Sequence, residues 1–395
     1  MKKIWVILIV LTVSLLSFSE NLSNTKENIT VENKDYKIIA YLPCWVGKDW
    51  TAEDIEGDKL THLYLAFARI NNEFKISNYD VRIPGVPDTV SSQTIVNDVW
   101  EEVKRVQKKY PDLKIIVAVG GWGADGFSDM VATKATREIF VDSVVEYIEK
   151  YNLDGIDLDW EYPVDGGGGT IKARKEDKEN FTELIKLLRE KLGEDKEISF
   201  CANVSGWFLD VIEWEKVVPL VNSINVMGYD YHGPWSANTA HHSNLFINPQ
   251  DPVAHWGLSS DAAIKRFIDR GIPAEKLVLG FPAYGREFYG VEPGENGDGL
   301  FQKYQETIWP GGAIPYTILK KYYIDKNDFR RYWDDAAKVP YLYDGETFIT
   351  YEDPQSVAQK AKYVHEMKLG GIMYWEYVDD IENDLLNAAY ETLKK

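Results

Sequence analysis

Cysteine is almost absent: 395 residues contain two, Cys44 and Cys201, so at most one disulfide can form. Both fall in expected strands. A single disulfide is conceivable in an exported chain, but the strand order developed below puts them on the first and fifth strands, on opposite sides. Two buried thiols are therefore expected. Histidine is sparse as well, with six residues. Apart from His232 they avoid the expected strand ends, so neither a metal nor another cofactor is expected. Positive charge is also short, because 44 Lys and Arg face 63 Asp and Glu for a net charge of -19. That balance argues against nucleic acid, whose phosphates demand a basic face.

Long apolar runs are missing apart from Ile4 to Leu16, which follows Lys2 and Lys3 and precedes the small residues Ser17 and Ser19. The run is too short for a comfortable membrane span, and no cysteine follows it to take a lipid. Residues 1–19 are therefore expected to be a secretory signal, with an uncleaved anchor as the alternative. Once the signal is removed no membrane association is expected, and the chain should be secreted, with retention at the envelope left open. Residues 20–35, ENLSNTKENITVENKD, are polar and pattern-free and read as a flexible leader.

The remainder is rich in apolar and aromatic residues, with 13 Trp and 24 Tyr. It is long enough for one large domain and an insertion. From Lys37 onward, short apolar runs alternate with amphipathic segments, the pattern of repeated βα units. Eight such runs occur: 37–43, 62–68, 114–121, 153–161, 197–204, 223–230, 276–284 and 370–377. The expected fold is α/β, a closed (β/α)8 barrel, with chemistry at the carboxyl ends of its strands. A doubly wound open sheet would normally carry a glycine turn for phosphate after its first strand, and YLPCW offers none.

Between Tyr284 and Gly370 the chain is too long for a loop and one helix. Its aromatic-rich, alternating stretches suggest a small α+β insertion at 287–343, with the barrel formed by 36–286 and 344–395. Placed after the seventh strand, it would wall one side of a cleft.

The fourth run, LDGIDLDWEYP, places Asp157, Asp159 and Glu161 at every second position, alternating with Ile156, Leu158 and Trp160. On a strand the acids share one face and the apolar groups the other. Acids so close cannot all ionise cheaply, so one shared proton and one raised pKa are expected. Glu161, last in the row, is placed to act as a general acid. The three emerge from one strand on the same side.

The pattern D-x-x-D-x-D-x-E, closed by an aromatic and a proline, resembles the signature of glycoside hydrolase family 18, the chitinases and their relatives. That resemblance implies a retaining, substrate-assisted hydrolase of β-1,4-linked N-acetylglucosamine polymers or oligomers, in which the substrate's own acetamido oxygen attacks. It implies Glu161 as proton donor, Asp159 as the group holding the acetamido nitrogen, and Asp157 as the deeper partner sharing its proton. In MGYDYHGPW, Met227, Tyr229 and Asp230 match the family's M-x-Y-D, with the Tyr229 hydroxyl on the acetamido carbonyl. Tyr229 and Asp230 could equally satisfy a loop.

Trp375 matches the tryptophan beneath the sugar at the cleavage point, Tyr284 and Arg286 the seventh-strand Y-x-R pair, and Tyr41 and Phe67 the aromatics of the first two strands. Trp45 and Trp122 fit either platforms for more distant sugars or plugs into the core. One departure stands out. The family's third strand usually reads S-x-G-G, and Ala118 replaces the serine that would hydrogen-bond Asp157. A monomer acting on chitin or chito-oligosaccharides is expected. A lectin-like barrel, or an endo-β-N-acetylglucosaminidase acting on N-glycans, is the alternative.

Overall fold

The computed structural model describes residues 36–45, 49–80 and 93–394. The expected signal, 1–19, and leader, 20–35, lie outside the described residues. Eight parallel strands close into a barrel: β1 (Lys37–Pro43), β2 (His62–Ile70), β4 (Lys114–Gly120), β5 (Gly155–Asp159), β6 (Glu197–Ala202), β7 (Ser223–Val226), β8 (Leu277–Pro282) and β14 (Gly371–Trp375). β1 pairs with both β14 and β2, which closes the ring, while the two-residue β3 (Ile76–Ser77) lies antiparallel on β2.

Each barrel strand is buried on both faces, apolar on the outward one and mixed on the inward one, where Asp157, Asp159, Ser199 and Asn225 also lie. One set, including Ile38, Leu63, Ile115, Ile156, Ile198, Ile224 and Ile372, belongs to the large cluster shared with the helices. The other set, including Ile39, Tyr41, Tyr64, Ile116, Cys201, Val278 and Met373, forms a smaller cluster. The helix Val99–Lys109 illustrates the outer packing, burying Val99, Trp100, Val103 and Val106 along one face. Gly155, which opens the acid strand, tolerates no side chain, because a Cβ there would lie 2.0 Å from the Glu197 carbonyl oxygen.

Strands end earlier than the apolar runs suggest. The acid strand stops at Asp159 and the seventh barrel strand at Pro282. Tyr284 and Arg286 therefore do not belong to the seventh strand; they sit in β9 (Tyr284–Tyr289), the first member of a second, antiparallel sheet. That sheet runs in the order β10 (Ala313–Pro315), β9, β13 (Thr347–Thr350), β12 (Val339–Tyr343) and β11 (Arg330–Asp334). Only Ala283 separates the two sheets, between Pro282 at the end of β8 and Gly285 inside β9. Asp353 links the second sheet to the barrel, capping the helix Pro354–Glu366 while accepting Arg331 from β11 at 2.6 Å.

At the amino-terminal end of the barrel, Glu197 is surrounded by Lys37 (2.5 Å), His62 (3.0 Å) and Lys114. Burial opposes its charge, but the three bases outweigh it and hold the carboxyl well below the usual range. A depressed folded-state pKa stabilises above the unfolded value, roughly 4.3, and that stability is lost as pH falls. Glu197→Gln should lower the unfolding free energy at pH 7 by about 2 kcal/mol. In denaturant titrations the gap to the wild type should begin to narrow below about pH 4 and close only as pH falls through the depressed folded-state value.

Candidate active site

β5 delivers the acid row as strand geometry requires. Ile156, Leu158 and Trp160 pack outward, with Trp160 stacked on Phe127 at 5.2 Å, while Asp157 and Asp159 are buried on the opposite face. Glu161 lies two residues past the strand and stays partly exposed.

Asp157 is held by neutral donors. The Tyr41 hydroxyl donates to Oδ2 at 2.9 Å, and the Ser199 hydroxyl and the Asn225 amide donate to Oδ1 at 2.6 and 3.1 Å. The Cys201 thiol lies 3.7 Å from Oδ2. No hydrogen bond joins Asp157 to Asp159, whose Oδ1 is buried without a partner. Asp157 is bonded instead by donors from three other strands. What couples the row is charge across a dry interior.

Burial is the main cause of every shift in the row. It raises Asp157 to about 6 against four lowering hydrogen-bond donors. It raises Asp159 well above the carboxylate range, with the charges of Glu161 and Asp157 adding to the effect. It also raises Glu161 to about 7, helped by Asp230 and opposed by Tyr162 and Arg69.

The donor that Ala118 lacks comes from the opposite neighbour. Asp157 pairs in register with Ala118 of β4 on one side and with Ser199 of β6 on the other. Since the Ser199 proton goes to Asp157, Tyr64 donates to the Ser199 oxygen at 3.0 Å, extending the chain of hydroxyls. Sequence reasoning overlooked Ser199, Asn225, Cys201 and Tyr64. The signal was present as polar residues at every second place in EISFC and SINV, inside strands expected to be buried.

Beside the row, Trp375 stacks on Phe67 at 5.2 Å and 15° and lies 6.2 Å from Trp45 and 5.9 Å from Tyr41. Trp45, Phe67, Trp122 and Trp375 line one cavity of about 290 Å³, and Trp122 is 63% exposed. Met227 and Tyr229, partly buried, pack on the same inner cluster as Tyr41 and Phe67.

Asp230, at positive φ, accepts Tyr284 at 2.8 Å and Arg286 at 2.7 Å through a single oxygen. Burial disfavours its charge, yet His242 and Arg286 keep it below the ordinary range. His242, unremarked in the sequence, is fully buried 3.7 Å from Asp230. It is fixed there by its neighbours: His241 contacts Asp334 at 3.0 Å, and Ser243 donates to Glu352, itself paired with buried Lys360. Among the described residues no group of three or more His, Cys, Asp or Glu is placed to hold a metal ion.

The sequence model for glycosyl hydrolases family 18 matches residues 37–380. Chitinase A1 of Niallia circulans is 35% identical over 91% of this chain, which spans 58% of that protein's length. Chitotriosidase-1 of Mus musculus is 31% identical over 89% of this chain and 75% of its own. Among solved structures, a multi-modular chitinase, ChiW of Paenibacillus sp. str. FPU-7, superposes with a TM-score of 0.81 at 41% identity, covering 90% of this chain and 42% of that one. A family 18 N-acetylglucosaminidase of Paenibacillus barengoltzii gives 0.78 at 34% identity, over 91% and 100%.

Removing the Ser199 hydroxyl takes away a donor that favours the charged form of Asp157. Ser199→Ala should therefore raise the Asp157 pKa from about 6 by about one pH unit. Carboxyl titration followed by infrared or carbon NMR reads this directly, and Ala118→Ser in the same chain should reverse part of it.

Proposed function

Because this chain belongs to glycosyl hydrolase family 18, we propose that it hydrolyses β-1,4 bonds between N-acetylglucosamine units of chitin or chito-oligosaccharides, with retention of configuration. The observation that carries this reading is a partly exposed carboxyl, Glu161, raised to about 7 by burial at the end of a row of buried acids. A carboxylic acid still protonated near neutrality can give its proton to the leaving oxygen.

In this mechanism the sugar to be cut rests on Trp375, and its acetamido group reaches toward the row. Asp159, with a buried oxygen unpartnered among the described residues, accepts the acetamido N–H as the carbonyl oxygen closes on the anomeric carbon. The Tyr229 hydroxyl holds that carbonyl. Charge develops on the new ring, and the row stabilises it better than water could because burial has removed the screening. Glu161 then takes a proton from the water that opens the ring, which completes retention. Asp230 is the nearest competitor for a covalent nucleophile, but its bonded oxygen is committed to Arg286 and Tyr284, which suits a positioning role. Activity on chitin rather than on an N-glycan core is favoured by the second sheet, which lengthens the wall beside Asp230. Export through the segment 1–19 and monomeric action remain part of the proposal.

Glu161→Gln should retain oligosaccharide binding and lose turnover by at least about a thousandfold. Wild-type-like hydrolysis by this variant would remove the assignment, and NMR of the first products should reveal the β anomer. The pH profile follows from two raised carboxyls. Glu161 must hold its proton, so kcat/KM should fall as pH rises through about 7. The row must carry a charge, so the rate should also fall below about 6, where Asp157 becomes neutral.

A further inference from the structure

Arg69 closes the cavity beside Trp375, and neither the acid row nor its donors explain it. It lines that cavity together with Trp45, Phe67, Thr94 and Trp122. Its side chain is 17% exposed, and its Nε and Nη1 atoms are buried with no hydrogen-bond partner among the described residues. Asp80 is the nearest carboxylate, 3.4 Å from Nε, and the guanidinium lies 5.6 Å from the centre of the Phe67 ring. Guanidinium donors left unmatched in a buried place are costly, and buried polar groups are almost always satisfied. The partly exposed remainder of the side chain lines a cavity of about 290 Å³, the size of a small ligand site.

We propose that Arg69 is a specificity residue that hydrogen-bonds the acetamido carbonyl of the sugar adjoining the one cleaved, so that the site selects N-acetylated units at a second position besides the reacting one. The inference rests on the hydrolase reading above and goes one step beyond it. Charge decides between a neutral and an anionic acceptor. Arg69 already faces Asp80, so a carboxylate-bearing sugar would enter against that acid. An amide carbonyl accepts the same N–H groups without that repulsion, and the ring faces of Trp45, Phe67 and Trp122 offer apolar surface to the acetyl methyl.

The test uses partly deacetylated chitosan with the wild type, Arg69→Met and Arg69→Lys, sequencing both new ends of the products by mass spectrometry. The unit at the new reducing end should be acetylated for all three, since it supplies the attacking carbonyl. In the wild type one of the two units flanking it should also be acetylated in excess. That bias should vanish in Arg69→Met and weaken in Arg69→Lys, which keeps the charge opposite Asp80 but not the fork. For fully acetylated oligomers KM should rise about tenfold in Arg69→Met while kcat changes little. An unchanged flanking bias, or a fall in kcat alone, overturns the proposal.

Binding to the Glu161→Gln protein, followed by tryptophan fluorescence, decides the matter without turnover. Arg69→Met in that background should bind an acetylated tetramer about tenfold more weakly and its fully deacetylated counterpart no differently. Preferential loss of binding to an N-acetylmuramic acid oligomer would overturn the acetamide assignment in favour of a carboxylate. Failure of the wild type to cut any chito-oligosaccharide would count against the hydrolase reading alone, since the binding comparison still stands.

Discussion

Removing three carboxyls from water is the constraint to which the rest of the site answers. Asp157, Asp159 and Glu161 leave one strand within a few residues of one another, and burial raises all three pKa values. Left without compensation, such a row would cost the fold more than its packing returns. The barrel answers with donors that carry no charge of their own. Tyr41 comes from β1, Ser199 from β6 and Asn225 from β7, and together they hold the deepest acid without a cation to quench it. A lysine or arginine there would have stabilised the carboxylate and removed the raised pKa from which the proposed chemistry draws.

The two ends of the barrel treat buried acid in opposite ways. At the amino-terminal end Glu197 is met by Lys37, Lys114 and His62 and stays ionised. At the carboxyl end Asp157 meets hydroxyls, an amide and a thiol, and its pKa rises. The same side-chain type thus serves stability in one place and reactivity in the other, and only the charge of its neighbours differs. Asp230 stands between these cases. Arg286 and His242 keep it ionised near Glu161, and its negative charge helps keep the Glu161 proton in place.

The replacement of a serine by Ala118 has a spatial answer. A strand in a closed sheet has two neighbours, so a donor lost from β4 can be supplied from β6 at the same level of the barrel. Tyr64 continues the chain by donating to Ser199, which directs the Ser199 proton toward Asp157. Substitutions that look damaging in a one-dimensional motif can therefore be neutral once the ring is closed.

The sequence alone determined the eightfold βα rhythm, the two-residue spacing of the acids and the apolar partners that turn the acids inward. Those follow from the period of a strand, which is a property of neighbouring residues. The sequence also carried the aromatic and Y-x-R residues of the cleft, although Tyr284 and Arg286 belong to a second sheet that begins one residue after β8 ends. Only the tertiary structure decided which residues meet Asp157, since Ser199, Asn225 and Tyr41 lie 42, 68 and 116 positions away. It likewise decided that His242 reaches Asp230 and that Arg69 faces the cavity. These depend on register between strands remote in the chain, and composition and periodicity do not encode that register.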